Sequence, residues 1–201
     1  MPTRPTHRLP CRVDFGCHDT RRNLPAVSSS KRGEVDFLAK FERVYLEEAI
    51  GGRATQQQHA SGREFALDGF GRADLVFMAW KPSNNSEDFS ALALEHLDLT
   101  AIEAKIKDWR KGLMQASRYR FFANQALLVL PHASARIAAR FLPTFQALQV
   151  GLWEFDPAAL VITKHFTPAK TRPLNTKARE KAVHLIQLSL PRKAQRVGQR
   201  S

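Results

Sequence analysis

Asp74, Glu103 and Lys105 are the residues of this chain best suited to act together on a substrate. Glu103-Ala104-Lys105 ends a short apolar run that begins at Leu99. In a β-strand, residues i and i+2 face the same side, so this carboxylate and this ammonium leave the strand together. Asp74 interrupts the apolar run Ala73–Trp80, and a charge there is seldom fully buried unless paired or liganded. Pairing of the two strands would bring both carboxylates to one place. Mg²⁺ takes one or two carboxylates and completes its shell with water and phosphate oxygens. Bound Mg²⁺ or Mn²⁺ acidifies its water and offsets charge on a phosphodiester. Lys105 would hold the attacking water or stabilise the pentavalent oxyanion. Gln115 and Tyr119, four residues apart, share a face of the next helix. Gln115 would hold a ligand water or the scissile phosphate, and Tyr119 would brace it or reach the backbone.

Plainer readings exist for each residue. Glu103 and Lys105 could form an exposed strand-end ion pair worth about 1 kcal/mol at most. Gln115 could be a solvated amide and Tyr119 a boundary aromatic. Glu-x-Lys alone is common; its place between Asp74 and Gln-x-x-x-Tyr is what distinguishes it. Around it, Lys107, Arg110, Lys111, Arg118 and Arg120 face a single acid, Asp108. These cations suit a nucleic acid, and Trp109 among them could stack on a base or sugar or tuck onto the core. Phe121 and Phe122 read as core.

The elements that must position these residues follow from periodicity. Phe37, Phe41, Val44 and Tyr45 predict a helix over 36–50, stopped by Gly51-Gly52. One step along the same face reaches Glu48, at the edge of the core stripe. It reads either as functional or as a boundary residue reaching solvent, and Glu47 lies on the neighbouring stripe. Arg53–Gly62 reads as a polar loop. Arg63–Leu67 and Arg72–Trp80 read as a hairpin about Asp68-Gly69, Lys81–Phe89 as a loop, and Leu99–Lys105 as a third strand. A helix over 112–124, a buried strand Ala126–Leu130 and a helix from a Ser134 cap to Leu142 follow. Pro143 kinks or restarts that helix and Gly151 closes it. Leu152–Phe155 and Leu160–Phe166 read as short strands, and Thr176–Leu190 as an amphipathic helix. The alternation predicts an α/β fold, a mixed sheet with helices on its faces.

A chain of 201 residues suffices for one domain with tails. The net charge of +12 is unevenly placed. Residues 1–33 hold seven Lys/Arg and two Asp, residues 164–201 hold ten Lys/Arg and one Glu, and the stretch between is slightly acidic. Basic tails suit a polyanion, because phosphate contacts release counterions; the plainer reading is tails that aid solubility. Residues 1–33 read as a disordered basic tail and 167–201 as a basic extension with one helix. Cys11 and Cys17, near His7 and His18, make neither a disulfide framework nor a persuasive zinc spacing. No run is long enough to span a bilayer and no secretory signal is visible, so a cytoplasmic, reducing setting without membrane contact is expected. No phosphate loop, nucleophile elbow or His-rich zinc motif appears.

The set Asp74, Glu103-x-Lys105 and Gln115-x-x-x-Tyr119 resembles the PD-(D/E)XK phosphodiesterase superfamily, with the helix motif of RecB-type nuclease domains. The resemblance spans roughly residues 36–166, by order of elements. It implies a restriction-endonuclease-like αβββαβ core within 34–166. It makes Asp74 and Glu103 the metal-binding acids and Lys105 the lysine. It adds a first-helix glutamate as a further metal ligand, best matched by Glu48 and next by Glu47. Ala73 stands where many members have proline. The implied activity is Mg²⁺- or Mn²⁺-dependent hydrolysis of phosphodiester bonds, DNA before RNA. The basic residues beside the site make Lys107, Trp109, Arg110, Lys111 and Arg118 the expected nucleic-acid contacts, with a homodimer or a protein partner as further expectations. The alternative from another class is a non-cleaving DNA- or RNA-binding module, or a subunit of a DNA-processing or defence system that acts only with a partner.

Overall fold

The computed structural model describes residues 11–15, 29–51, 57–81 and 97–189. Strand β1 (Cys11–Asp14) runs parallel to β2 (Gln58–Leu67). β2, β3 (Gly71–Trp80) and β4 (Leu97–Ala104) form an antiparallel meander. β4, β5 (Gln125–Leu130) and β6 (Val150–Asp156) run parallel, and β7 (Val161–Phe166) is an antiparallel edge. The seven strands form one mixed sheet whose spatial order is the chain order.

Among the described residues, five helices cover the sheet. α1 (Ser29–Gly51) lies on one face, where Phe37, Leu38, Phe41 and Tyr45 meet Leu75, Phe77, Ile102, Leu127, Trp153 and Phe155. The other face carries α2 (Trp109–Tyr119), α3 (His132–Ala138), α4 (Leu142–Leu148) and α5 (Thr176–Ser189). A 3-10 turn, Ala139–Phe141, joins α3 to α4. β5 is buried along its whole length between these layers, which is why it reads as an unbroken apolar run. The α/β class and the mixed sheet flanked by helices are as expected. Among the described residues no helix is long and apolar enough to cross a membrane.

Several boundaries differ from the sequence reading. Cys11–Asp14 is a strand inside the segment expected to be a disordered tail. α1 starts at Ser29 rather than near Val35: the apolar stripe marks only the part of a helix that packs. β2 starts at Gln58, inside the expected loop, because the long β3 supplies partners as far as Trp80. Ser134 does not cap α3, which starts at His132; its hydroxyl donates to the Ile106 carbonyl at 2.7 Å. Gln149, with a φ of 53°, ends α4, and Gly151 lies within β6. α5 is no peripheral extension, since Ala178, Ala182, Val183 and Ile186 belong to the main core. Phe122 is core as expected, whereas Phe121 is partly exposed against Phe70. Cys17, His7, His18, His96 and the segments 82–96 and 190–201 lie outside the described residues.

Candidate active site

The β3–β4 ladder runs from Trp80↔Leu97 to Leu75↔Ile102. Continued by one residue, its register sets Asp74 opposite Glu103. Directly opposed residues of an antiparallel pair share a face, so both carboxylates lie on the α2 side. Side chains take over where the ladder stops. The Ala104 N–H donates to Asp74 Oδ2 at 2.8 Å. The Arg72 carbonyl accepts from the Tyr119 hydroxyl at 2.6 Å.

Glu103 is completely buried. Lys105 Nζ lies 2.8 Å from its Oε1, and the Tyr119 hydroxyl touches its Oε2. That hydroxyl has one hydrogen for two acceptors, Glu103 and the Arg72 carbonyl. Burial, and then the charge of Asp74, push the Glu103 carboxyl up to about 7 against the pull of Lys105 and Tyr119. Burial also raises Asp74, with the fields of Glu64 and Glu34 adding to it. Burial works against the Lys105 ammonium. The bond to Glu103 and the fields of Asp74 and Glu34 outweigh it, so the net shift is upward and Lys105 stays charged. Tyr119 is raised by burial and by Glu103, and stays protonated.

α2 closes over the site because position 112 is glycine. A Cβ there would come within 2.7 Å of Leu128 Cδ1 and 2.9 Å of Lys105 Cγ. Asp108 starts the helix, its carboxylate accepting the Lys111 N–H at 3.3 Å. On α2, one turn before Tyr119 on the same face, Gln115 is half-buried, with an amide oxygen that finds no hydrogen-bond partner among the described residues. β2 contributes strain beside the site. The pairs Arg63↔Leu75 and Phe65↔Ala73 bracket Glu64 opposite Asp74. Glu64 is left-handed, with a φ of 57°, a costly conformation for a residue with a Cβ. It is where β2 switches faces: Arg63 reaches Glu42 on α1, while Phe65 joins the core of the opposite face.

The structure brings together Asp74, Glu103, Lys105 and Tyr119, with Gln115 on the helix above. It does not bring Glu48 there. Glu48 is exposed and paired with Lys164 of β7 at 3.0 Å. The acid of α1 near the site is Glu34, half-buried and close enough for its charge to act on both Asp74 and Lys105. Fourteen residues of helix put Glu34 and Glu48 about 21 Å apart. Glu34 falls on the Phe37–Phe41 stripe extended backward by one turn; the sequence reading extended that stripe forward only. Trp109 is also corrected. It is buried, packed on Phe141 and Phe145 at ring distances of 5.0 and 6.0 Å, and covered by the Arg110 guanidinium at 4.5 Å. It is a core aromatic, not a free stacking surface. Lys107, Arg110, Lys111 and Arg118 are exposed.

Among the described residues no three His, Cys, Asp or Glu side chains are grouped to hold a metal; the donor set is the pair Asp74 and Glu103. Comparison with known proteins gives no matching family model, no matching characterised protein and no matching solved structure.

Proposed function

We propose that this chain is a Mg²⁺- or Mn²⁺-dependent nuclease of the PD-(D/E)XK kind, hydrolysing phosphodiester bonds in DNA. One observation carries the reading: Asp74 and Glu103 come to one face from adjacent strands, with Lys105 Nζ 2.8 Å from Glu103. The order α1-β2-β3-β4-α2-β5 supports it as the αβββαβ core that the motifs imply. The donor set fits a hard divalent cation, since one or two carboxylates with water and phosphate oxygens satisfy Mg²⁺. The cost of ionising the buried Glu103 beside Asp74, and of the partly buried Asp74 itself, raises both carboxyls and is what such a cation would relieve. When bound, it supplies an acidified water and a counter-charge for the phosphodiester.

Asp74 and Glu103 would hold the cation, while Glu34, on the first helix, acts on Asp74 and Lys105 through its charge. Lys105 orients the attacking water or the pentavalent oxyanion. Tyr119, tied to the Arg72 carbonyl, sets the Glu103 carboxylate. The unpartnered Gln115 oxygen is placed to hold a water of the site. Water attacks phosphorus in line, the bond to the leaving oxygen breaks, and no covalent enzyme intermediate forms. Lys107, Arg110, Lys111 and Arg118 would hold the backbone, and the basic ends of the chain add sequence-independent affinity.

The test compares plasmid and linear DNA with Mg²⁺, Mn²⁺ or EDTA, for the parent, Asp74→Ala and Lys105→Ala. Metal-dependent products are expected from the parent, reduced by about 10³-fold in either variant, since each removes several kcal/mol of charge stabilisation. Variants that cut as well as the parent overturn the assignment. Salt-dependent binding without any metal-dependent product would make the chain a binding module.

Gly112→Ala tests the closure of α2. Its Cβ must displace Leu128 or Lys105, and overpacking costs about 1–3 kcal/mol, partly offset by about 1 kcal/mol of helix propensity. Cleavage is expected to fall by at least tenfold while the urea midpoint falls only slightly. An unchanged rate would show that Lys105 need not hold its position.

A further inference from the structure

Between Asp108 and Glu154 the sequence contains no acidic residue, yet it holds six Lys/Arg. This acid-free stretch builds the layer of α2, α3, the 3-10 turn and α4. All of its cations except Arg120 are exposed. None of Arg110, Arg136 and Arg140 has an ion-pair partner among the described residues.

Large apolar side chains stand among them. Met114 is 56% exposed, Ile137 51% and Phe141 40%. Arg110 and Met114 are one turn apart on α2, and Ile137 and Phe141 one turn apart on the neighbouring ridge. The Arg110 guanidinium lies 5.3 Å from the Phe141 ring and so joins the two ridges. Single exposed apolar residues are ordinary; here the Arg110–Phe141 contact sets an unpaired cation beside an exposed ring, with Met114 and Ile137 one turn away on either helix.

We propose that this layer is a docking surface for an acidic amphipathic helix of a partner protein. The helix would set its apolar stripe on Met114, Ile137 and Phe141 and pair its carboxylates with Arg110, Arg136 and Arg140. Charge complementarity selects the acid, because the layer offers cations and no carboxylate. The aliphatic groups select protein over nucleic acid, since Met and Ile gain little from phosphate, sugar or base edges. Aromatic, Met and Arg side chains with few acids are the composition of a protein interface core. Arginine forks pair with carboxylates in two-bond geometry, and helix-in-groove docking uses anchors at i and i+4. The inference does not depend on the phosphodiester reading: Met114, Ile137, Phe141, Arg136 and Arg140 have no part in that site, and Arg110 alone is shared with the proposed backbone contacts.

The experiment places p-benzoylphenylalanine at Met114 of the full chain in its native cells and sequences the peptide that it cross-links. That peptide is then synthesised and titrated against the parent, Ile137→Ser and the double variant Arg136→Ala/Arg140→Ala, with circular dichroism as the folding control. A net-negative peptide with apolar residues at helical spacing is expected. It should bind the parent, weaken at least tenfold on Ile137→Ser and about thirtyfold on the double variant. Binding of a 20-base-pair duplex should be unchanged by Ile137→Ser. No cross-link, a cross-link to nucleic acid or to a second copy of this chain, a peptide without net negative charge, or equal affinity for the variants would overturn the proposal.

Discussion

Glu103→Gln is expected to cut metal-dependent cleavage severely and, at pH 8 without divalent cation, to make the protein more stable. The two effects share one cause. Burial and the facing Asp74 hold the Glu103 carboxyl at about 7 instead of 4.5. Between these values the folded chain keeps a proton that the unfolded chain has released, so stability falls as pH rises through this window. Above pH 7 the full cost is present. At 1.36 kcal/mol per pKa unit it is about 3 kcal/mol as an upper bound. A glutamine is never charged and escapes that cost, so a gain of about 2 kcal/mol is expected at pH 8 and almost none at pH 4.5. The measurement is urea unfolding of both proteins across that range. Mg²⁺ should then stabilise the parent through linkage to the folded state and leave Glu103→Gln nearly unaffected. Cleavage is expected to drop by about 10³-fold, as for loss of several kcal/mol of transition-state stabilisation. A variant less stable than its parent at pH 8 would mean that the carboxylate is a structural ion-pair member and not a strained one.

Arg179→Ala is expected to be the most damaging substitution outside the site. Arg179, on α5, is buried and donates to the Phe122 carbonyl at 3.1 Å and to the Leu97 carbonyl. Burial pushes it down to about 10, with Asp98 opposing, so at neutral pH it remains a guanidinium. Its removal strands two buried carbonyls at about 1–3 kcal/mol each and loses the packing of its aliphatic stem. A loss of about 3–5 kcal/mol is expected, a large share of a stability of about 5–15 kcal/mol. Arg179→Lys keeps the charge but not the two-pronged reach, and should cost about half as much. Urea denaturation decides. A cost under about 1 kcal/mol for Arg179→Ala would show that α5 is held by its apolar face alone.

What could be read beforehand depended on whether a residue's neighbours in space were also its neighbours in sequence. Glu103 and Lys105 were legible because strand alternation is local, and Asp74 because a charge inside an apolar run is conspicuous. Their opposition needed only that two consecutive strands pair. The α, βββ, α, β order was legible from period changes and turn residues. Glu34 was not, because the first turns of α1, Ser29 to Gly33, carry no apolar stripe and resemble a tail. Trp109 was misread because its partners, Phe141 and Phe145, arrive from a layer more than thirty positions later in the chain. The same holds for Glu154, which accepts from His132 at 2.6 Å and His165 at 2.8 Å, from two elements that no local pattern links. Arg179 looked like one more basic residue in a basic terminus; only the docking of α5 shows that it is interior.

The place of that last helix bears on how the protein is made. α5 packs against the β2 side of the sheet, and Lys181 reaches Asp68 at the β2–β3 turn. Residues 176–189 therefore complete a surface laid down more than a hundred positions earlier in the chain. During translation the β2 side of this core stays incomplete until α5 has been made. A nascent chain stalled before that point should be a client for chaperones, and one carrying α5 should not.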